Sequence, residues 1–217
     1  MTQPPSARRA LTQDRLLDAA IAAFAEKGVA ASSVEEICER AGFTRGAFYS
    51  NFDSKDELCV AVLRRKAEEV LSAATRATDA VPREPIAPDS VDGVIRAAVS
   101  IFQAGHPADP EWLVARMELR LYALRNPSVR EALRTIESQL DELMTQAIWA
   151  ATERVGARFA VPADRLFSLL NVQYDALTLH AAMEGADLAD PAWAEPLAAL
   201  LRALVIVPEE GGSGAGG

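Results

Sequence analysis

Residues 42–55, with the sequence GFTRGAFYSNFDSK, decide the fold of this 217-residue chain. They predict a glycine turn, a very short helix capped by Thr44, and an abrupt entry into another helix at Ser54. Phe48 and Phe52 are four residues apart, so both fall on the same side of the short helix. Because an isolated helix of fewer than about 12 residues is marginal in water, these two aromatic residues must anchor it to a scaffold.

The preceding residues predict that scaffold. Thr12 can cap a first helix that runs to Lys27 and ends at Gly28. Ser33 followed by Glu36 is a capping box, which opens a second helix. A glycine turn then leads from the second helix into the short third one. Three helices arranged in this way predict a helix-turn-helix unit.

The rest of the chain also has helical patterns. Ser54 and Glu57 form another capping box, which opens a fourth helix that should reach the late seventies. Three prolines within residues 81–89 interrupt the helical pattern. Beyond them, apolar residues recur at helical spacing in five stretches: 90–104, 111–125, 128–156, 163–184 and 192–206. No segment alternates as a strand would, so the predicted fold is all-α.

These breaks predict two domains and a tail. Residues 1–53 form an N-terminal arm, mobile over residues 1–10, and a helix-turn-helix DNA-binding domain. Residues 54–207 form a C-terminal helical domain, whose apolar helices are expected to serve dimerisation. Residues 208–217 are glycine-rich and are expected to be disordered.

The charge of the chain is unevenly distributed. The net charge is −9, yet residues 1–66 contain 10 Lys and Arg against 9 Asp and Glu. Residues 67–217 contain 12 and 22, so the acidic excess lies outside the segment expected to contact DNA. An acidic body would limit non-specific binding to a duplex.

Composition argues against several other classes of protein. The two cysteines form no disulfide framework or zinc-like cluster, and no metal or cofactor is predicted. The two histidines are far apart, and there is no glycine-rich phosphate loop, so an enzyme is not expected. The first residues lack the apolar run of a signal peptide, and no stretch reaches 18 uninterrupted apolar residues. The predicted location is cytoplasmic, with no membrane partner.

Residues 163–184 have more apolar surface than a single buried face requires. One stripe begins at Leu166, and a second stripe beside it contains Leu169, Val172, Ala176, Leu179 and Met183. A helix that is apolar around most of its circumference is buried on two sides, so this helix and the preceding one predict a four-helix bundle with a second copy. The alternative is that the chain's own helices cover both stripes. The predicted interface residues are Val129, Leu133, Ile136, Leu140, Leu166, Leu170, Tyr174, Leu177 and Ala181.

The N-terminal residues resemble the DNA-binding domain of TetR-type transcriptional regulators. The residues that carry the resemblance run from 22 to 58: Ala-Ala-Phe-Ala-Glu-Lys-Gly at 22–28, then Ser33, Val34, Ile37, Ala41, Gly42, Thr44, Gly46, Ala47, Phe48, Tyr49, Phe52, Ser54, Lys55 and Leu58. The resemblance implies a homodimer that binds a palindromic operator and releases it when a small molecule enters the C-terminal domain. Asn51 stands where the family often has His, and Phe43 where it often has Val, so the resemblance does not imply which bases are read.

Eight polar or small residues are the candidates for DNA contact. Ser33 and Thr44 lie at helix N-termini, which favour a phosphate in addition to simple capping. Arg45 suits bidentate contact with guanine, and Tyr49 suits a phosphate or a thymine methyl group. The alternatives are an ordinary solvated arginine and, for glycine, close helix packing. The full set is Ser33, Thr44, Arg45, Gly46, Tyr49, Ser50, Asn51 and Lys55, with Lys55 expected on a phosphate and Gly46 allowing close approach to the groove.

Several residues beyond the proline-rich break are candidates for an effector site. Aromatic and apolar residues between the proline-rich break and the dimerisation helices could line a cavity, although such residues at helical spacing are more often plain core. The candidates are Phe102, Trp112, Arg116, Met117, Tyr122 and Trp149. The predicted function is therefore a ligand-responsive regulator, expected to be a repressor. The alternative is a helical small-molecule carrier or adaptor that kept the fold but not operator binding.

Overall fold

The computed structural model describes residues 7–79, 95, 99, 109–154, 158–188 and 190–206, and these residues are predominantly helical. The helices are α1 (Ala7–Ala31), α2 (Val34–Ala41), α3 (Arg45–Tyr49), α4 (Lys55–Asp79), α5 (Pro110–Arg125), α6 (Pro127–Arg154), α7 (Ala163–Met183) and α8 (Glu195–Leu204), with a 3₁₀ turn at Pro191–Ala194. The all-α prediction is confirmed. No helix in the described part of the chain is both long enough and apolar enough to cross a membrane.

Two very short strands accompany the helices. Strands β1 (Arg158–Phe159) and β2 (Val205–Ile206) pair antiparallel, with Arg158 opposite Ile206 and Phe159 opposite Val205. The sequence did not predict them, because two residues are too few to show strand alternation.

The first helix begins earlier than predicted. Its start at Ala7 places Arg8 and Arg9 in the helix, so the prediction of a mobile arm over residues 1–10 is wrong for the described residues 7–10. Thr12 does not cap the helix, because its hydroxyl donates to the Arg8 carbonyl within it. Gly28 interrupts α1 with φ +81°, a conformation that favours glycine.

The caps of α2 and α3 follow the sequence signals. The Ser33 hydroxyl accepts a hydrogen bond from the Glu36 amide at 3.2 Å, and Thr44 Oγ1 accepts one from the Ala47 amide at 3.3 Å. Gly42 ends α2 in the left-handed conformation at φ +72°. The Glu36 carboxylate pairs with Lys27 at 2.5 Å, and this contact, together with a hydrogen bond from the Ser33 backbone amide, lowers the pKa of Glu36.

The chain divides into two compact units. The first comprises residues 1–68 and 109–138, and the second residues 69–108 and 139–217. This division differs from the predicted boundary between residues 53 and 54, because α5 and the start of α6 complete the core beneath α1. Within the first unit, Phe48 is 0% exposed and Phe52 4% exposed, so the short α3 is anchored as predicted. The same core contains both cysteines, Cys38 and Cys59.

Five of the nine predicted interface residues are buried within the units themselves, which corrects the prediction for them: Val129, Leu166, Leu170, Tyr174 and Ala181. The other four are half-buried: Leu133, Ile136, Leu140 and Leu177. Leu166, Leu170, Tyr174 and Ala181 on α7 are only 1–7% exposed, and Leu177 packs against the same core, so the chain itself covers this stripe. On α6, Val129 is buried in the first unit's core with Leu133 and Ile136 packed against it, whereas Leu140 packs against the core of the second unit. The stripe left in solvent is the other one, in which Leu169, Val172, Leu179 and Met183 are 43–78% exposed.

Candidate DNA-binding surface

Helix α3 turns its polar side to solvent. Phe48 faces the core, while Arg45 and Tyr49 lie on the exposed side, and the Tyr49 side chain is 48% exposed. The Arg45 guanidinium stands over the Tyr49 ring, 5.9 Å from its centroid. A small exposed helix with an arginine and a tyrosine four residues apart has the shape and the donors that suit a DNA groove.

Arg45 has a partner that the sequence analysis missed. Arg45 Nη1 lies 2.7 Å from Oε1 of Glu35, which stands in the first turn of α2, and the two side chains are 60% and 57% exposed. The hydrogen bond with Tyr49, followed by the charge of Glu35, raises the pKa of Arg45 above its ordinary value. Arg45 is therefore positively charged, and in the free protein its guanidinium contacts both the Tyr49 ring and the Glu35 carboxylate.

Ser33 and Thr44 are exposed as well as capping. Each hydroxyl oxygen accepts a hydrogen bond from a backbone amide of its own helix, which leaves the hydroxyl hydrogen for another acceptor. The two residues lie at the starts of α2 and α3, where backbone amides favour negative charge.

Ser50 and Asn51 close the C-terminal end of α3. The Ser50 hydroxyl and the Asn51 amide each donate to the Ala47 carbonyl at 2.8 Å. Asn51 Oδ1 accepts from Arg9 Nε at 3.3 Å, and Arg9 also donates to the Ser50 carbonyl at 3.4 Å. The prediction that Asn51 contacts DNA is corrected, since both ends of its amide join α3 to itself and to α1. The donating hydroxyl of Ser50 is likewise used within the helix.

Gly46 is exposed on α3, and packing does not require its lack of a side chain. A Cβ at this position would meet only Thr44 Oγ1, at 3.7 Å, which is ordinary van der Waals contact. The alternative that Gly46 serves close helix packing therefore has no support in the structure. Its small size leaves the surface of α3 open to a partner from outside.

Lys55 points into the protein instead of toward an external anion. Its ammonium donates to the carbonyls of Val29 at 2.8 Å and Ser32 at 3.0 Å, with the Ala30 carbonyl at 3.4 Å. It also stands 5.7 Å from the centroid of the Tyr122 ring. The prediction that Lys55 binds a phosphate is corrected, because an ammonium has three donors and these carbonyls occupy them.

Tyr122 belongs to a polar junction in the first unit. Its hydroxyl donates to Asp56 Oδ1 at 2.7 Å, and the Ser128 hydroxyl donates to Asp56 Oδ2 at 3.1 Å. Burial, followed by the hydrogen bond to Asp56 and its charge, raises the pKa of Tyr122 to about 12. Asp56 thus joins the first turn of α4 to α5 and α6, which differs from the predicted role of Tyr122 in lining an effector cavity.

The other predicted effector residues are divided between the two units. Trp112 packs against the first core with Lys66 5.3 Å from its ring centroid, and Arg116 and Met117 are half-buried on the same helix. Trp149 is exposed and lies in the second unit. Phe102 lies outside the described residues. The position of an effector site thus stays a prediction.

Residues 16–62, which extend from α1 into α4, match the family model described as bacterial regulatory proteins, tetR family. The chain is similar to the nicotine-responsive transcriptional repressor HdnoR of Paenarthrobacter nicotinovorans, with 29% identity over 142 residues, or 65% of this chain and 70% of the relative. It is 26% identical to the transcriptional repressor AcnR of Corynebacterium diphtheriae over 167 residues, 76% of this chain and 78% of that protein.

The fold is also similar to that of a solved regulator. The fatty acid degradation regulator FadR of Bacillus halodurans aligns with a TM-score of 0.72 at 18% identity, covering 93% of this chain and 97% of that one. The likeness extends beyond the helix-turn-helix to most of the helical chain. Residues 16–62 thus match the tetR family of bacterial regulatory proteins, and the chain beyond them is similar to transcriptional repressors.

Proposed function

We propose that this chain is a ligand-responsive transcriptional repressor, which binds a palindromic operator as a homodimer and releases it when a small molecule binds. The observation that carries the proposal is the anchored α3, with Phe48 buried and Arg45 and Tyr49 exposed. Two similar proteins are named as transcriptional repressors, and one of them as nicotine-responsive.

The proposed DNA contacts follow from the exposed side of α3. Arg45 would donate to guanine O6 and N7 in the major groove, and Tyr49 would contact a neighbouring phosphate or thymine methyl group. Ser33 and Thr44 would donate their hydroxyl hydrogens to phosphates. Gly46 would allow the helix backbone to approach the groove closely.

Selection of bound sequences from a random pool of DNA duplexes tests the proposed DNA contacts. The expected result is enrichment of a palindrome whose half-sites are one helical turn, about 34–36 Å, apart. Arg45→Gln should relax discrimination at one base pair of each half-site, because the bidentate contact is lost. If the parent enriches no sequence while it still binds small molecules, the chain is a carrier or adaptor and the proposal fails.

The proposed dimer uses the exposed stripe of α7. Exposed residues recur at alternate spacings of three and four along the helix, which is the pattern of a helix that packs against a partner helix: Leu169, Val172, Ala176, Leu179 and Met183. A twofold axis would pair the stripe with itself, so each residue would meet a similar surface.

Light scattering coupled to size exclusion tests the dimer. Val172→Glu should produce a monomer and abolish operator binding, since it places a charge in a desolvated apolar seam. The control is Thr135→Glu, which adds the same charge at an exposed position of α6 in the first unit. A dimeric Val172→Glu variant would remove this stripe from the interface.

Ligand release has a thermodynamic signature that does not require the cavity to be known. A compound from a thermal-shift screen that weakens operator binding must itself bind more weakly to the operator complex, by the same factor. Such coupling is typically about 1–3 kcal/mol. Equal affinity of that compound for the free and operator-bound protein would contradict the proposed mechanism.

A further inference from the structure

The cation expected to read DNA is already paired with an anion on the same surface. Glu35 on α2 and Arg45 on α3 are ten residues apart in sequence, and the turn at Gly42 brings their charged atoms to 2.7 Å. Both side chains are more than half exposed, so the pair lies open to any duplex that approaches α3. DNA must therefore meet the carboxylate together with the guanidinium.

We propose that Glu35 is a specificity-determining residue of the DNA interface, which acts by competing with phosphates for Arg45. The inference rests on the proposed function and adds a residue to it. A phosphate that takes Arg45 away from Glu35 leaves an unpaired carboxylate next to a polyanion, which is unfavourable. Phosphate contacts carry no sequence information, so this penalty falls on non-specific complexes.

Glu35 disfavours contact between Arg45 and a guanine edge less than it disfavours contact between Arg45 and a phosphate. Guanine O6 and N7 are neutral acceptors, and a guanidinium has five N–H donors, so Arg45 can contact the base while one nitrogen still pairs with the carboxylate. The ion pair and the ring of Tyr49 also fix the orientation of the guanidinium before DNA arrives. Glu35 therefore weakens binding to any sequence but weakens binding to the operator least.

The expected effect of Glu35→Gln is measurable in salt dependence. Each phosphate that a cation neutralises contributes about 0.9 to the slope of log K against log salt concentration. Releasing Arg45 from Glu35 should therefore steepen the slope on non-operator DNA by up to about 0.9 for each protomer. The loss of an exposed ion pair changes a binding free energy only modestly. The affinity of a dimer for non-operator DNA should therefore rise roughly 2- to 30-fold at moderate salt.

The experiment compares two duplexes of equal length, the palindrome enriched by selection and a scrambled version of it. Fluorescence anisotropy between 50 and 300 mM KCl gives both affinities and both slopes. The matched control is Glu39→Gln, which removes the same charge from an exposed position one turn along α2. Thermal melting monitored by circular dichroism shows that each variant is folded.

The inference predicts that Glu35→Gln binds the scrambled duplex more tightly and with a steeper slope than Glu39→Gln does. Its ratio of operator to scrambled affinity should fall, and the effect should largely disappear in an Arg45→Gln background. Equal behaviour of the two glutamine variants, or a Glu35→Gln effect that persists without Arg45, would overturn it. A failure of the proposed function looks different, because the parent protein itself would then not distinguish the two duplexes.

Discussion

Substitution of Lys55 distinguishes a structural role of its ammonium from a phosphate contact. Lys55→Met removes the ammonium but keeps most of the apolar stem that reaches past Tyr122. In the parent, that ammonium holds the carbonyls of Val29 and Ser32, which lie between the break at Gly28 and the start of α2. The substitution should therefore loosen the connection between α1 and α2.

The expected loss of stability follows from these contacts. Two hydrogen bonds from a charged donor lie at 2.8 and 3.0 Å, and such bonds contribute about 1.5–3 kcal/mol each when buried. Lys55 is only half-buried and water can replace it at the carbonyls, so we expect a total loss of about 2 kcal/mol. In a protein of this size, that corresponds to a decrease of roughly 4–8 °C in the melting temperature.

Two assays separate the structural role from a phosphate contact. Urea unfolding followed by circular dichroism measures stability, and anisotropy with a scrambled duplex at several salt concentrations measures the number of neutralised phosphates. Lys55→Met should lower the urea midpoint while leaving the salt slope unchanged. The control is Arg64→Met, which removes a cation from an exposed position on the same helix and should change stability by less than about 0.5 kcal/mol.

The opposite pattern would refute this reasoning. A Lys55→Met variant with parental stability and a salt slope lower by about 1 would mean that the ammonium leaves the Val29 and Ser32 carbonyls to neutralise a phosphate. The role predicted from sequence alone would then be correct.

Three further substitutions test other parts of the first unit. Gly46→Ala should stabilise the protein by up to about 1 kcal/mol in urea unfolding, since alanine favours helix and its Cβ fits, yet should weaken operator binding in anisotropy. Tyr122→Phe should cost about 1–2 kcal/mol through the lost hydrogen bond to Asp56. Because the pKa of Tyr122 is raised, its contribution is complete below pH 10 and is lost as pH rises through about 12, so the variant's stability should decline less steeply there. Phe48→Ala should cost about 3–5 kcal/mol in urea unfolding and abolish operator binding, because α3 loses its anchor.

Each of these expectations can be contradicted by one result. An operator affinity of Gly46→Ala equal to that of the parent would show that the backbone of α3 does not approach the groove closely. Parallel stability curves for the parent and Tyr122→Phe above pH 10 would mean that Tyr122 does not donate to a carboxylate. A Phe48→Ala variant that still binds operator would show that α3 has some other anchor.

Local signals predicted the helices well. Gly42 marks a helix end and Ser33 a helix start in the sequence, and both lie where those signals place them. Phe48 and Phe52 were correctly assigned to the core, because helical spacing fixes which side they share. The same spacing predicts that Arg45 and Tyr49 lie on the exposed side of α3, and both are exposed.

Contacts between residues in different helices could not be predicted from the sequence. Lys55 meets carbonyls 23 and 26 residues away, and no periodicity connects residues in different helices. The Glu35–Arg45 ion pair depends on the angle between α2 and α3, which is a property of the turn. On α7 both stripes are equally apolar, so the sequence alone could not decide which one the chain's own helices would cover.

The burial of the two cysteines makes the protein convenient for site-specific labelling. The thiolate is the form that reacts with a maleimide, and burial raises the pKa of Cys59 to about 12 and that of Cys38 in the same direction. Neither native sulfur should react at neutral pH while the fold is intact. A new cysteine at an exposed position such as Ser50 could therefore carry the only dye, and would report on the approach of DNA without replacement of the native pair.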